Sequence, residues 1–322
     1  MAAISSSPIG LIGDIGATNS RLALVEPGGG VEQVRVFASD EFASLGEMIE
    51  AYFASPARAR KPTRAILAVA APVTGDEVAF TNLPWRFSVG DLRERFGFSS
   101  VRVVNDFVAN ALAVPHLAEN DRMQVGRGAP VKAQPVGVIG PGSGLGVSAL
   151  IPTADGYVPL QSEGGHVTMA AADTRETAVL EIMRKRFDHV SAERVLSGPG
   201  LINLYAALCE LNGERQEQLT AAQITDTRVG ETHPRAREAT EMFCAMLGGV
   251  AGDLALTLGA RGGIYIAGGI VPRLGVAFAQ SAFRARFEAK GRFRDYMEAI
   301  PTYVITRPLP ALLGLARMLD AP

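Results

Sequence analysis

Cysteine is nearly absent from this chain of 322 residues: Cys209 and Cys244 are the only two, far apart and without partners at metal-ligand spacing. That excludes a disulfide framework and a structural zinc site, and it fits a reducing compartment. Charge of one sign is also missing. With 31 basic against 33 acidic residues and a net charge of −2, there is no basic footprint for nucleic acid. Met1 to Pro8 has neither a basic start nor an apolar core, so no signal peptide is expected. The longest apolar runs, such as Ala65 to Val73, are too short to span a bilayer. No Gly-Lys-Ser/Thr triplet occurs, which removes a Walker A loop. A soluble, cytoplasmic chain is expected, with no membrane and no nucleic acid among its partners.

What the chain does have is apolar content of 48% and 35 glycines. Its length exceeds what a single core holds comfortably, so two lobes are expected. The glycines concentrate in two related stretches. Ile9 to Val25 reads IGLIGDIGATNSRLALV, two strand-like runs joined by a small-residue tip. Val136 to Ile151, VGVIGPGSGLGVSALI, repeats the design, with Ser143 where Gly16 stands in the first. Glycine at such a tip lets backbone N–H groups approach an anion. Thr18 and Asn19 add donors, and Asp14 adds a carboxylate able to hold a hydrated metal ion. Alone, the first stretch is better read as an ordinary hairpin with polar turn residues. The pair together reads as duplicated halves gripping a phosphate chain. Each tip leads into a strand rather than a helix, so neither is a Rossmann fingerprint.

In chain order, Val34 to Phe37 predicts a third strand, and Ser44 opens a helix over Leu45 to Phe53 with Glu47 at the capping-box position. Ala65 to Ala71 predicts a strand covered on both faces. Asn82 and Trp85 could wall a pocket, and Trp85 reads equally as core. A strand ending at Asn105-Asp106 passes at once into a helix, which puts both residues where α/β sheets bind ligands. Asp106 could equally cap that helix, whose N-terminus favours an ionised carboxylate. Glu163-Gly164-Gly165-His166 forms a sharp turn able to aim a carboxylate and an imidazole at one small ligand. Ser191 to Arg194 is predicted to open a helix, in whose first turn Glu193 could merely compensate the dipole. Ala236 to Leu258 predicts a long helix whose Gly248, Gly249 and Gly252 require close packing. Gly268-Gly269 after the strand Ile264 to Ala267 would admit a flat ring, or simply turn the chain.

Seven segments in order, GDIGATNSRLAL, TNLPWRFS, VVNDFVANALAVP, GPGSGLGVSAL, SEGGHV, ERVLSGPGL and GGIYIAGGIVPR, resemble the bacterial ATP-dependent glucokinases. These are the hexokinase-like type of the sugar kinase and actin-like superfamily. The zinc-containing sister group places cysteines after its sugar-binding histidine; here Val167 to Ala170 follows His166 with none. The resemblance covers essentially the whole chain. It departs at Ala17, where glycine is common, and at Ser143, where threonine is common.

The resemblance implies an α/β, two-lobed actin-like ATPase (ribonuclease H-like) fold with duplicated halves and a cleft between them. Residues 1–115 plus 307–322 would form the small domain and 116–306 the large one. It implies phosphorylation of the glucose 6-hydroxyl by ATP, in glycolysis, with Asp106 as base. Asn105, Glu163, His166 and Glu193 would bind the other hydroxyls. Gly13, Asp14, Ile15, Gly16, Ala17 and Thr18 would hold ATP phosphates together with the tip from Gly142 to Gly146, which includes Ser143 and Gly144. Mg²⁺ would lie near Asp14, and Gly268 and Gly269 beside adenosine. A homodimer is implied as well. A kinase for fructose or mannose, a sugar-sensing regulator and a non-metabolic ATPase of the actin-like superfamily are the alternatives.

Overall fold

The computed structural model describes residues 10–54, 61–71, 73–80 and 83–320. Ile9, Asn82 and the Met1 to Pro8 segment considered above lie outside them. The chain divides into two compact units, Met1–Ala118 with Arg307–Pro322, and Glu119–Thr306.

In the first unit the glycine-tipped stretch is a hairpin, β1 (Gly10–Ile15) against β2 (Asn19–Val25), extended by β3 (Val31–Ala38). Helix α1 (Leu45–Phe53) follows, with Ser44 accepting the Glu47 amide. The Glu47 carboxylate reaches the Ala43 amide rather than that of Ser44, so the capping box is displaced by one residue. Strand β4 (Arg64–Val69) pairs in parallel with β1, and the sheet order is β3-β2-β1-β4-β7, with β7 spanning Ser100–Asn105. A small separate hairpin joins β5 (Glu77–Ala79) to β6 (Arg86–Ser88). Trp85 beside it is core: it packs edge-on against Phe80 and donates its indole N–H to the Phe42 carbonyl. Helix α2 (Val89–Phe96) ends on left-handed Gly97 and α3 (Asp106–Ala113) follows β7 without a loop.

The last helix, Pro310–Asp320, belongs to this unit although the strand before it belongs to the other. Its Leu312, Leu315, Ala316 and Leu319 bury against Ile12, Ile66 and Ala109. Gly314 makes this possible, because a Cβ there would collide with the Ala109 carbonyl of α3.

The second unit repeats the order. Strands β9 (Val136–Pro141) and β10 (Leu145–Thr153) form the second hairpin, extended by β11 (Gly156–Ser162). Strands β12 (Ile264–Ile266) and β13 (Thr302–Ile305) continue in parallel, and β8 (Arg122–Val125) closes the far edge antiparallel. The order β11-β10-β9-β12-β13 matches β3-β2-β1-β4-β7 strand for strand, so the duplication read from the two hairpins extends to both sheets.

Between β11 and β12 lie α4 (Thr174–Arg184), α5 (Gly198–Leu211), the short α6 (Ala221–Ile224) and α7 (Thr227–Thr232), and α8 (Pro234–Leu258). Four short helices, α9 (Val271–Leu274), α10 (Val276–Gln280), α11 (Phe283–Glu288) and α12 (Arg294–Glu298), precede β13. Helix α8 is long and apolar enough to cross a membrane by length and composition. In this fold Met242, Phe243, Met246 and Leu247 instead fill the core of the unit. Its Gly248 and Gly252 face α11 so closely that a Cβ would collide with the Phe283 carbonyl at the first and approach that of Phe287 to 2.8 Å at the second.

Ser191 to Arg194 is not a helix. It is a run of turns bridged to the segment after His166, with the Ala192 amide on the Val167 carbonyl at 2.8 Å. Those cross-chain bonds override the local helix signal, and the helix starts only at Gly198, capped by Ser197.

Candidate active site

In the first unit three parallel strands end together. Ile15 of β1, Val69 of β4 and Asn105 of β7 share one rung. The first glycine tip and Asp106 therefore leave the same sheet edge two strand spacings apart, about 10 Å. The tip itself is Gly16, Ala17 and Thr18. The Gly16 carbonyl accepts the Ser39 hydroxyl at 2.8 Å, and the Ser39 amide donates to the Thr18 carbonyl at 3.0 Å. Ser20 completes the anchor, its Oγ 2.8 Å from that of Ser39. Gly13 and Ile15 lie in the strand, both buried; a Cβ on Gly13 would come within 2.8 Å of Leu22 and Leu67, which accounts for that glycine by packing.

Asp14 is half-buried, and burial raises its carboxyl above the ordinary carboxylate range, opposed by Arg21 at 3.9 Å. Among the described residues no cluster of three or more metal-ligating side chains exists. A single partly desolvated carboxylate suits a magnesium ion that keeps several waters and is shared with phosphate oxygens.

At the other end of the edge Asn105, rather than Asp106, caps α3. Its Oδ1 accepts the Phe107 amide at 2.8 Å, and the Asp106 carboxylate shares that amide at 2.9 Å. Asp106 is the first helical residue, in the end of the helix that favours negative charge.

In the second unit the tip is Gly142, Ser143 and Gly144, closed by the Gly142 amide on the Gly144 carbonyl at 2.8 Å. Leu145 and Gly146 belong to β10, so the tip is shorter than the glycine spacing predicts. Gly268 follows β12 at φ +84°, and a Cβ there would collide with the Pro141 carbonyl. Only glycine lets these two chains lie side by side. Gly269 next to it has open space on its side-chain face.

The Glu163-to-His166 turn is a single 3₁₀ turn with the His166 amide on the Glu163 carbonyl at 3.0 Å. Both side chains are exposed. Glu193 is brought to this turn, its amide donating to the Gly165 carbonyl at 2.9 Å. Thus Glu163, His166 and Glu193 share one neighbourhood of the second unit, and Asn105 and Asp106 one edge of the first. Sequence reasoning missed Ser39, for which no local signal exists. It also missed Ser197 and Gly198, whose amide holds the Gly142 carbonyl at 2.8 Å. A cavity of about 550 Å³ is lined by Leu160, Val167, Met169, Met246, Leu254 and neighbours, and touches these residues only at Gly164.

The glucokinase family profile matches residues 11–322. A glucokinase from Nitrobacter hamburgensis is 50% identical over 98% of both chains. The crystal structure of a glucokinase from an Antarctic psychrotroph is 37% identical, with a TM-score of 0.86 over 97% of this chain and 98% of that one. The glucokinase of Balamuthia mandrillaris, solved in complex with glucose, shares the fold at 21% identity, with a TM-score of 0.82 over 99% and 96% of the two chains. The chain belongs to the glucokinase family.

Proposed function

We propose that this chain transfers the γ-phosphoryl group of ATP to the 6-hydroxyl of glucose, with Asp106 accepting the hydroxyl proton. The observation that carries this reading is Asp106 at the carboxyl end of β7, on the sheet edge that also bears the Gly16-to-Thr18 tip, in a chain half identical to glucokinases. Phosphoryl transfer asks for positioning, charge stabilisation and one acceptor for the hydroxyl proton. The transition state is loose, so the proton leaves late and a weak base suffices.

Asn105, Glu163, His166 and Glu193 bind the remaining hydroxyls in this reading. Carboxylates accept charge-assisted bonds from neutral hydroxyls roughly twice as strong as neutral pairs. A sugar lacking one hydroxyl leaves a partner unsatisfied, which is the source of selectivity. The tips Gly16–Thr18 and Gly142–Gly144 offer backbone N–H groups to the phosphates, and Gly268-Gly269 the open strip for adenosine. Asp14 would hold Mg²⁺, which supplies charge neutralisation on the phosphates when bound.

The partner we assign is a second copy of the chain. The uncovered edge strand β11 exposes Tyr157, Val158 and Leu160, a surface suited to pairing with itself. Light scattering should give twice 33.9 kDa; a monomer at micromolar concentration refutes it. We place the protein in the cytoplasm, in keeping with its two free thiols.

A coupled assay for glucose 6-phosphate with ATP and Mg²⁺ tests the function. Glucose should give a higher kcat/KM than fructose or mannose. ADP formation that glucose does not increase, or no ADP with any hexose, would refute it.

A further inference from the structure

The turn assigned to sugar and the tip assigned to phosphate are bonded to each other through one residue. The Glu193 carboxylate Oε2 accepts the Leu145 amide at 2.9 Å, at the base of the second tip. Its own amide holds the Gly165 carbonyl at 2.9 Å, and its carbonyl accepts the Ser197 hydroxyl at 2.7 Å. From the same stretch the Gly198 amide holds the Gly142 carbonyl. Two glycines permit the closeness. A Cβ on Gly165 would collide with the Leu145 carbonyl, and one on Gly144 with Glu193 Oε2.

We infer that Glu193 is a positioning residue that couples sugar binding to nucleotide binding within this unit. A carboxylate has lone pairs for about four donors. Oε2 fixes the Leu145 amide and with it the curvature of the phosphate tip, while Oε1 remains for a sugar hydroxyl. A hydroxyl on Oε1 fixes the carboxylate plane, which orders the tip before the nucleotide arrives. By linkage the nucleotide must favour the sugar by the same factor. The inference rests on the assignment of the turn to sugar and the tip to phosphate.

The test crosses the two assignments. Glucose and a non-hydrolysable ATP analogue are titrated singly and together by calorimetry into wild type, Glu193→Ala, Glu193→Gln and Gly144→Ala. Wild type should bind each ligand at least ~5-fold tighter in the presence of the other, the low end of ordinary coupling. Glu193→Ala should weaken the analogue with no sugar present and abolish the mutual effect. Gly144→Ala, a change in the phosphate tip, should weaken glucose with no nucleotide present. Glu193→Gln retains a carbonyl acceptor for Leu145 and should keep the affinity for the analogue while losing affinity for glucose. Analogue affinity within twofold of wild type in Glu193→Ala, or unchanged glucose affinity in Gly144→Ala, overturns the coupling. Hydrogen exchange at the Leu145 amide decides the clasp even if wild type binds neither ligand and the functional reading fails. Protection should fall in Glu193→Ala and persist in Glu193→Gln; equal protection in all three overturns it.

Discussion

The Asn105 side-chain oxygen accepts the Phe107 amide at 2.8 Å. One residue thus closes the end of α3 and, in the reading proposed above, also meets the sugar beside Asp106. Asn105→Ala should lose about 1 kcal/mol of stability, the ordinary value of a cap, and raise the KM for glucose. Asn105→Asp keeps the acceptor but not the amide donor, so it should recover stability while KM stays high. Urea titrations and steady-state kinetics on the two variants separate the roles. Equal stability of Asn105→Ala and wild type would contradict the cap.

If Asp14 holds Mg²⁺ as proposed, its role there conflicts with folding. Its folded-state pKa is raised, chiefly by burial, against the pull of Arg21. The folded chain then binds that proton more tightly than the unfolded one. The Asp14 contribution to stability is therefore greatest below the ordinary carboxyl pKa, and it falls as pH rises from there through the raised value. Above that window a charged, partly desolvated carboxylate destabilises the fold. Asp14→Asn should raise the thermal midpoint at pH 7, with a smaller gain at pH 4, and it should lower kcat. A lower midpoint at pH 7 would show that Arg21 outweighs the burial.

Adjacent glycines in α8 should respond with opposite signs. Alanine gains about 1 kcal/mol over glycine in a helix interior where space allows. At position 249 the new Cβ would meet nothing nearer than Arg286 Cγ at 3.8 Å, so Gly249→Ala should stabilise. At position 248 it would meet the Phe283 carbonyl, and Gly248→Ala should destabilise by about 1–3 kcal/mol, the usual cost of overpacking. Urea midpoints of the two variants check this; the same sign for both would mean that the α8–α11 contact yields.

Close packing at Gly248 and Gly252 was legible in the sequence because interior glycine in an apolar helix has few other causes; the same expectation for Gly249 was wrong, since its side-chain face meets nothing nearer than 3.8 Å. The hairpins were legible for a similar reason: alternating apolar runs around glycine leave little choice. Asn105-Asp106 was legible as a strand-to-helix junction, but which of the two caps the helix was not, since both types cap. Glu193 was misread. Ser191-Ala192-Glu193-Arg194 has the local pattern of a helix start, and only bonds to Gly165, Val167 and Leu145, distant in sequence, hold it as a turn. The return of Pro310–Asp320 to the first unit was expected only from the family resemblance, because amphipathicity reveals an apolar face but not its partner.

Both thiols are buried, and burial pushes Cys244 up to about 11. At pH 8 its thiolate is roughly one part in a thousand, and the thiolate is the reactive form. A maleimide should label neither cysteine in the folded protein and both in guanidinium. Mass spectrometry after labelling reads this directly; fast labelling of Cys244 in native buffer would contradict its place in the core.

The central claim is that the carboxylate at position 106 takes the proton from the sugar hydroxyl. Replacing it with an amide keeps size and hydrogen-bonding reach while removing the base. The decisive measurement is kcat of Asp106→Asn with saturating glucose and ATP, beside its glucose dissociation constant. The account predicts a fall in kcat of at least ~10²-fold with little change in glucose affinity, whereas turnover close to wild type would remove Asp106 from the chemistry.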